Sequence, residues 1–279
     1  MSQKKAVAIH DISGFGRCSL TVALPLISAA GVQTSVIPTA VLSTHTGGFK
    51  GNTFCDLTND IEPIAAHWKR ENISFDAIYT GYLCSEAQVL SVISAVELLK
   101  NKNNLLLVDP VMGDNGKLYS GFSAKYPQFM LRLCKRADII TPNITEAAAL
   151  ACLPLTDKLD REYIELLSKK LYSLTKAKIV LTGVSLQEKH IGAYVFDGEE
   201  FFYISTEKLP VSYHGTGDIF ASVLTASLLN DRSLKAAVQI AVNFTAGCIK
   251  QTVADNVDPR YGVNFEGQIP NLLKFLEIK

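Results

Sequence analysis

Leu105-Leu106-Leu107-Val108-Asp109-Pro110-Val111-Met112-Gly113-Asp114-Asn115-Gly116 is the stretch that decides the fold. Four apolar residues in a row, with no polar alternation, predict a strand buried on both faces. That is the habit of a parallel sheet covered by helices on each side. The run stops at an Asp-Pro pair, and a second carboxylate follows five residues on. Ligands of open parallel sheets bind at the carboxyl ends of the strands, so Asp109 and Asp114 stand where a site belongs. Two carboxylates there suit magnesium, which takes oxygen ligands and shares them with substrate phosphates. An Asp-Pro turn bonded to its own backbone accounts for the same residues without a metal.

Outward from this strand, short apolar runs alternate with longer segments of helical period. Strands are predicted at 6–9, 32–37, 75–80, 139–141 and 178–182, the second stopped by Pro38. Helices are predicted over about 19–30, 55–71, 85–100 and 123–137, one more around Tyr163, Leu167, Leu171 and Leu174, and two long ones at 216–230 and 233–252. In the last, Leu234, Ala237, Ala241, Phe244 and Cys248 share one stripe, a core face. Runs at 191–196 and 201–205 flank Asp197-Gly198, a hairpin signal. The alternation predicts one α/β domain over 1–279, with a parallel sheet between two helical layers. The Pro- and Gly-rich stretch 38–53 interrupts it and is expected to form an inserted lid.

Of 279 residues, 48% are hydrophobic and 19% charged, the profile of a chain with a core. Lys+Arg and Asp+Glu both number 27, so the basic excess of a nucleic-acid binder is missing. Cys18, Cys55, Cys84, Cys134, Cys152 and Cys248 lie far apart with no Cys-x-x-Cys pair. They are expected to be reduced core thiols, neither disulfides nor zinc ligands. The apolar run at 6–9 is too short for a signal peptide. No stretch reaches the roughly 18 apolar residues of a membrane span. The expectation is a soluble cytoplasmic protein.

Three more loops carry chemistry. His10-Asp11-Ile12-Ser13-Gly14-Phe15-Gly16-Arg17-Cys18-Ser19 follows a strand and opens a helix. It misses the dinucleotide fingerprint by its third glycine, and Ile37-Pro38-Thr39 stands where a ribose-binding acid belongs. A turn against a small substrate and a tight turn without ligand both stay open. No P-loop motif is present. Thr141-Pro142-Asn143-Ile144-Thr145-Glu146 either caps the next helix, with Glu146 three residues beyond Asn143, or sets Asn143 and Glu146 beside phosphate and metal. His214-Gly215-Thr216-Gly217-Asp218 precedes a long apolar helix, whose free N–H groups and dipole make an anion site. Asp218 either complements that terminus or takes a proton from an alcohol. Amides on a transferring phosphoryl group and a base on the nucleophile are what phosphoryl transfer needs.

Together and in this order, Asp109-Pro-Val-Met-Gly-Asp114, Thr141-Pro-Asn143-x-x-Glu146 and Gly215-Thr-Gly-Asp218 resemble the vitamin kinases of the ribokinase superfamily, and within it the pyridoxal/pyridoxamine kinase branch. The resemblance runs from Ile9 to about Ile249. It implies a ribokinase-like three-layer α/β sandwich with a mostly parallel central sheet and a small substrate lid. It also implies ATP, Mg2+, often a monovalent cation such as K+, and a homodimer. Asp218 is then the catalytic base, and Gly215, Thr216 and Gly217 the anion hole. Ser43-Thr44-His45-Thr46-Gly47 resembles the family's substrate loop, and Thr80-Gly81-Tyr82 the loop whose tyrosine lines the same pocket. Asp11, Thr46, Gly47, Tyr82 and Asp218 are thereby implied for the substrate. Asp109, Asp114, Thr141, Asn143, Glu146, Thr182 and Gly183 are implied for ATP, with Asp109, Asp114 and Glu146 organising magnesium directly or through water. Residues 114–119 look like the start of a flap over the nucleotide. His45 and His214 fall within motifs; His67 and His190 are given no role.

The hydroxymethylpyrimidine kinase branch is similar too. Its members often carry a His-Gly-x-Gly run like 214–217, but commonly place Cys where Asp218 stands. Asp218 and Met112-Gly113-Asp114 resemble the pyridoxal side. His10-Asp11-Ile12, where many pyridoxal kinases have Gln-Ser-His, resembles the pyrimidine side. The activity implied is ATP-dependent phosphorylation of the hydroxymethyl group of a B6 vitamer. Hydroxymethylpyrimidine kinase is the alternative. A vitamer-binding protein without turnover is a third reading, which an intact Asp218 opposes. A buried, unpaired Asp11 carboxylate predicts a preference for amine-bearing substrates.

Overall fold

The computed structural model describes residues 3–156 and 159–278. In chain order it forms β1 (Lys5–Ser13), α1 (Leu20–Ala29), β2 (Gln33–Leu42), β3 (Phe54–Asp56), α2 (Thr58–Arg70), β4 (Ala77–Thr80), α3 (Glu86–Leu99) and β5 (Leu105–Val108). These are followed by β6 (Gly113–Asp114), β7 (Lys117–Leu118), α4 (Tyr126–Cys134), β8 (Ile139–Ile140), α5 (Ile144–Ala151) and α6 (Arg161–Thr175). The remainder is β9 (Lys178–Gln187), β10 (His190–Phe196), β11 (Phe201–Glu207), α7 (Thr216–Leu229), α8 (Leu234–Ala254) and α9 (Ile269–Leu276). Among the described residues, no helix is long and apolar enough to cross a membrane.

The apolar strands are buried on both sides, as their composition requires. Leu106 and Val108 of β5 join one core with α2 to α6, while Leu107 joins the other with α1, α7, α8 and α9. Strands β1 and β4 divide in the same way, Val7, Ile9 and Ile78 against Ala6, Ala8 and Tyr79. The nine-stranded sheet runs β11-β10-β9-β8-β5-β4-β1-β2-β3. From β2 to β9 its ladders are parallel, and β3, β10 and β11 pair antiparallel at the edges. The three-layer sandwich is therefore as expected. The chain builds outward from β1 in both directions, so the strand order reverses between β1 and β4, where an open α/β sheet binds ligands.

Several boundaries differ. Pro38 does not stop the second strand. It pairs with His10 across a parallel ladder, and β3 takes up the outer edge only at Ala40, so the missing N–H faces no partner there. Just beyond, Thr39 and Ala40 of β2 stand opposite the single residue Asp11 of β1, a bulge that bends the edge around the site. The expected lid at 38–53 is accordingly smaller: 38–42 belong to the sheet, and the loop proper is 43–53. The fourth helix, expected at 123–137, is the shorter α4. The strand predicted at 178–182 runs on through Gly183, which has φ +69°, to Gln187. The thiols are only partly core: Cys18, Cys134 and Cys248 are buried, and Cys55 and Cys152 are exposed.

Candidate active site

The sequence-predicted residues gather at the carboxyl end of the sheet in two groups. One lines a cavity of about 530 Å³ beyond β5, β8 and β9 and comprises Asp109, Asp114, Thr141, Asn143, Glu146, Thr182 and Gly183 together with Gly215, Thr216, Gly217 and Asp218. Asp11, Thr46, Gly47 and Tyr82 are not part of its wall. Asp11 and Tyr82 sit at the ends of β1 and β4, on either side of the strand-order reversal.

Asp218, in the first turn of α7, links the two groups. It lines the cavity, and its charge and that of Asp11 act on each other. Enclosure by protein raises its carboxyl to about 7; the Ser19 backbone N–H opposes that rise, and Asp11 adds to it. Ser19 gives its hydroxyl to Asp11 Oδ1 at 2.6 Å, so one residue, held at φ +52°, serves two acids. Gly215 precedes α7 with φ +82°, and a β-carbon there would lie 2.1 Å from the Arg17 carbonyl. Only glycine fits between the left-handed turn and the neighbouring loop. Asp109 lies just behind the turn, 3.7 Å from where a Gly217 β-carbon would stand.

Asp109 and Glu146 are both buried. Burial first, then the charges of Glu146 and Asp218, push Asp109 well above the usual carboxylate range, with the Thr141 hydroxyl opposing. Burial raises Glu146 to about 8, against backbone N–H groups that favour its anion. Its Oε1 accepts from Met112 N–H at 3.1 Å and its Oε2 from Asn143 N–H at 2.9 Å. The Asn143 side chain accepts from Glu146 N–H at 3.0 Å, which completes a capping box on α5, and donates to Gly113 O at 2.8 Å. The capping role read from the sequence is thus realised, and Glu146 also holds the turn after β5. Asp114 lines the cavity as well. Its exposed carboxylate turns back onto Asn115 N–H and Nδ2, at 2.7 and 3.1 Å, and closes the β6–β7 hairpin, whose Asn115 and Gly116 both have positive φ. Among the described residues no group of three His, Cys, Asp or Glu side chains is arranged to hold a metal by itself.

On the other side, Asp11 is buried, and burial raises its carboxyl despite hydroxyl donors from Ser19 and Ser13. Ser13 Oγ lies 3.1 Å from its second oxygen. The carboxylate is not unpaired, so the expected reason for an amine preference falls away. The loop carrying Thr46 and Gly47 is fastened through His45. Gly47 N–H donates to His45 Nδ1 at 3.1 Å, which leaves the proton on Nε2 for the Arg260 carbonyl at 2.6 Å. His214 packs where a Gly47 β-carbon would stand, its ring 5.2 Å from that of His45. Arg17 N–H donates to Tyr261 O at 3.0 Å, and the Arg17 guanidinium pairs with Glu266 at 2.7 Å. Residues 258–266 therefore strap the Gly14–Ser19 turn to the substrate loop. His10, fully buried against Tyr79 with no hydrogen-bond partner and brought down to about 3 by burial, packs where Gly81 leaves no room for a side chain.

Several groups of site residues escaped the sequence reading, among them Ile191, Gly192 and residues 206–209 and 211–213 of the cavity wall. Phe220, Val242, Thr245, Ala246 and Ile249 line the cavity from α7 and α8. Val242, Thr245, Ala246 and Ile249 form a second stripe on α8, beside the core stripe, and their i, i+3, i+4, i+7 spacing was available as a signal. The strap 258–266 carries no periodic pattern, and its bonds to the site are largely backbone ones.

The phosphomethylpyrimidine kinase family matches residues 24–261. The solved pyridoxal kinase of Lactobacillus plantarum is 32% identical, covers 99% of both chains and superposes with a TM-score of 0.91. A protein of Bacteroides thetaiotaomicron, provisionally named a phosphomethylpyrimidine kinase and solved in a crystal form with pyridoxal, is 37% identical over 97% of this chain and 96% of its own, with a TM-score of 0.92. The hydroxymethylpyrimidine/phosphomethylpyrimidine kinase of Bacillus subtilis is 26% identical over 91% of this chain and 92% of its own. With a family match over most of its length and superposition on the solved pyridoxal kinase, the chain belongs to the phosphomethylpyrimidine/pyridoxal kinase family and is a kinase of the ribokinase-like fold.

Proposed function

We propose that the chain transfers the terminal phosphoryl group of ATP to the hydroxymethyl group of a B6 vitamer. The observation that carries this reading is the place of Asp218, in the wall of the large cavity, within reach of the charge of Asp11 and in the first turn of the helix that opens at Gly215-Thr216-Gly217. An alcohol held against Asp218 from the Asp11 side faces phosphates held against the amides from the cavity side. With its carboxyl near 7, Asp218 accepts the alcohol proton at neutral pH. The turn's amides stabilise the charge on the transferring group. Asp11, Thr46, Gly47 and Tyr82 hold the ring, and the apolar wall of the cavity on α7 and α8 takes the nucleotide base.

The donor chemistry fits magnesium. Asp109 and Glu146 are neighbouring carboxyls with raised proton affinity, and one or two carboxylates plus phosphates is the usual set for this ion. They would hold it, Glu146 through water because both of its oxygens already accept backbone N–H groups, while Asp114 tends the hairpin. The ion supplies charge neutralisation at the transferring phosphoryl group. A homodimer and a monovalent cation belong to the same proposal, to be read by light scattering and by rates in potassium against tetramethylammonium.

Release of ADP, measured with pyridoxal, pyridoxamine, pyridoxine and hydroxymethylpyrimidine in parallel, tests the reading. Turnover with a B6 vitamer supports it. Turnover with hydroxymethylpyrimidine alone replaces it by the second reading, which the acid at Asp11 and the Bacillus subtilis relative favour. Binding without turnover would make the chain a vitamer-binding protein.

A further inference from the structure

The segment that leaves the β6–β7 hairpin reaches from the cavity wall to Tyr82 within four residues. Tyr119 lines the cavity, and its N–H donates to Met112 O at 2.9 Å. Phe122 N–H donates to Tyr119 O at 3.3 Å, closing a β-turn whose third residue, Gly121, has φ +98°. A turn of this shape asks for glycine there and leaves its two ends little freedom to move independently. Phe122 is not part of the cavity wall. Its ring stacks on Tyr126 at 4.0 Å with 19° between the planes and tilts against Tyr82 at 5.8 Å. The Tyr126 hydroxyl donates to Leu83 O at 2.6 Å, and Ser123 Oγ donates to Glu86 Oε1 at 2.5 Å. The far end of the flap is thus fastened to the loop that carries Tyr82.

We infer that Phe122 is a positioning residue that couples occupation of the nucleotide cavity to the setting of Tyr82, so that each ligand binds more tightly when the other is present. A nucleotide that fixes Tyr119 also fixes the turn, the Phe122 ring, and with it the freedom of Tyr82. The second ligand then meets a wall already ordered, which is positive cooperativity without a large movement. Linkage makes the effect equal in both directions. The inference rests on the reading of Tyr82 as a wall of the substrate-ring site.

The test is calorimetric titration of pyridoxal, and in parallel of hydroxymethylpyrimidine, with and without saturating β,γ-methylene-ATP and magnesium. The wild-type protein is expected to bind its ring ligand about 5- to 20-fold more tightly with the analogue present, within the usual range of such couplings. Phe122→Ala should bring that factor below about 2 while each ligand alone binds within about 3-fold of wild type, and Phe122→Tyr should restore it. Phe122→Leu, which keeps bulk but has no ring face, should behave as the alanine variant and guards against a folding defect. A wild-type factor of one, or an unchanged factor in both the alanine and leucine variants, overturns the inference. Failure of pyridoxal to bind where hydroxymethylpyrimidine does would sink the vitamer reading alone, because the coupling is then read on the second ligand.

Discussion

Asp218 and Gly215 are three residues apart and fail differently when changed. Asp218→Asn keeps the shape of the turn and removes the base. It should lower kcat by roughly 10²–10⁴-fold with nucleotide affinity nearly intact. Because the working form is the anion and the carboxyl titrates near 7, wild-type kcat/KM should rise with pH and level off above about 7. Loss of that limb in the variant identifies the group, and a variant with a third of normal turnover would remove Asp218 from the chemistry. Gly215→Ala places a methyl against the Arg17 carbonyl in a left-handed conformation. Strain of this kind costs on the order of 1–3 kcal/mol, to be read by urea denaturation. At this scale the sequence was most informative where a residue's job follows from its chain neighbours. Gly215 before a long helix and Asp218 inside it could be read directly. The pairing of Asp11 with Ser13 and Ser19 could not, because it depends on a bulge opposite Thr39 and Ala40 that no local pattern announces.

Helix α5 and the substrate loop show how elements, not single side chains, set the site. Glu146 closes the capping box of α5 and grips the Met112 N–H in the turn after β5. Glu146→Ala should therefore lose about 0.5–2 kcal/mol in chemical denaturation and raise the magnesium concentration for half-maximal rate. An unmoved magnesium curve would make the cap its whole role. His45 joins the substrate loop to residue 260. His45→Phe removes both hydrogen bonds while filling the space. It should cost about 1–3 kcal/mol and raise KM for the vitamer with little change in kcat, since the anion turn and Asp218 are untouched. Steady-state kinetics separates these from a general loss of active protein. Strands β1, β4, β5, β8 and β9 were legible because burial on both faces leaves unbroken apolar runs. Strand β2 was cut short at Pro38 because tolerance of a proline depends on whether the neighbouring edge is paired, which is a tertiary fact. One stripe of α8 was legible as core, and the adjacent one was hidden in the same helix because apolar walls of a core and of a cavity have the same composition.

Across the whole molecule, the raised carboxyls make stability depend on pH in an uncommon direction. Asp218 and Glu146 titrate near 7 and 8 in the folded chain, with Asp109 raised as well, against ordinary values of 3.8 and 4.5. Between those limits the native state holds more protons than the unfolded one, so unfolding free energy falls as pH rises. Their contribution is fully present below the ordinary values and is lost as pH climbs through about 8. The half-buried Asp258, lowered to about 2 beside Arg260, acts with the opposite sign but below that window. Buried His10, brought down to about 3, opposes the slope only up to its ordinary 6.5, so the raised carboxyls decide the trend above it. The ligand-free protein should therefore melt lower at pH 8.5 than at pH 5, by on the order of several degrees. Asp218→Asn should flatten the slope, and magnesium with nucleotide should raise the melting point most at the alkaline end. A melting temperature that rises over this interval would contradict the assignment of protons to these groups.

The strap from Arg17 to Tyr261 and Gly262 also has a temporal side. The two ends are 261 − 17 = 244 residues apart, and each is needed to brace the turn that carries Ser19. A ribosome adding about 5–20 residues per second takes roughly ten to fifty seconds to connect them. Through that interval the nascent chain has its parallel strands and both walls of the nucleotide cavity in turn, but no clasp on the substrate loop. A small molecule that binds at the substrate loop can thus stabilise a weakened variant only after residue 262 has been added.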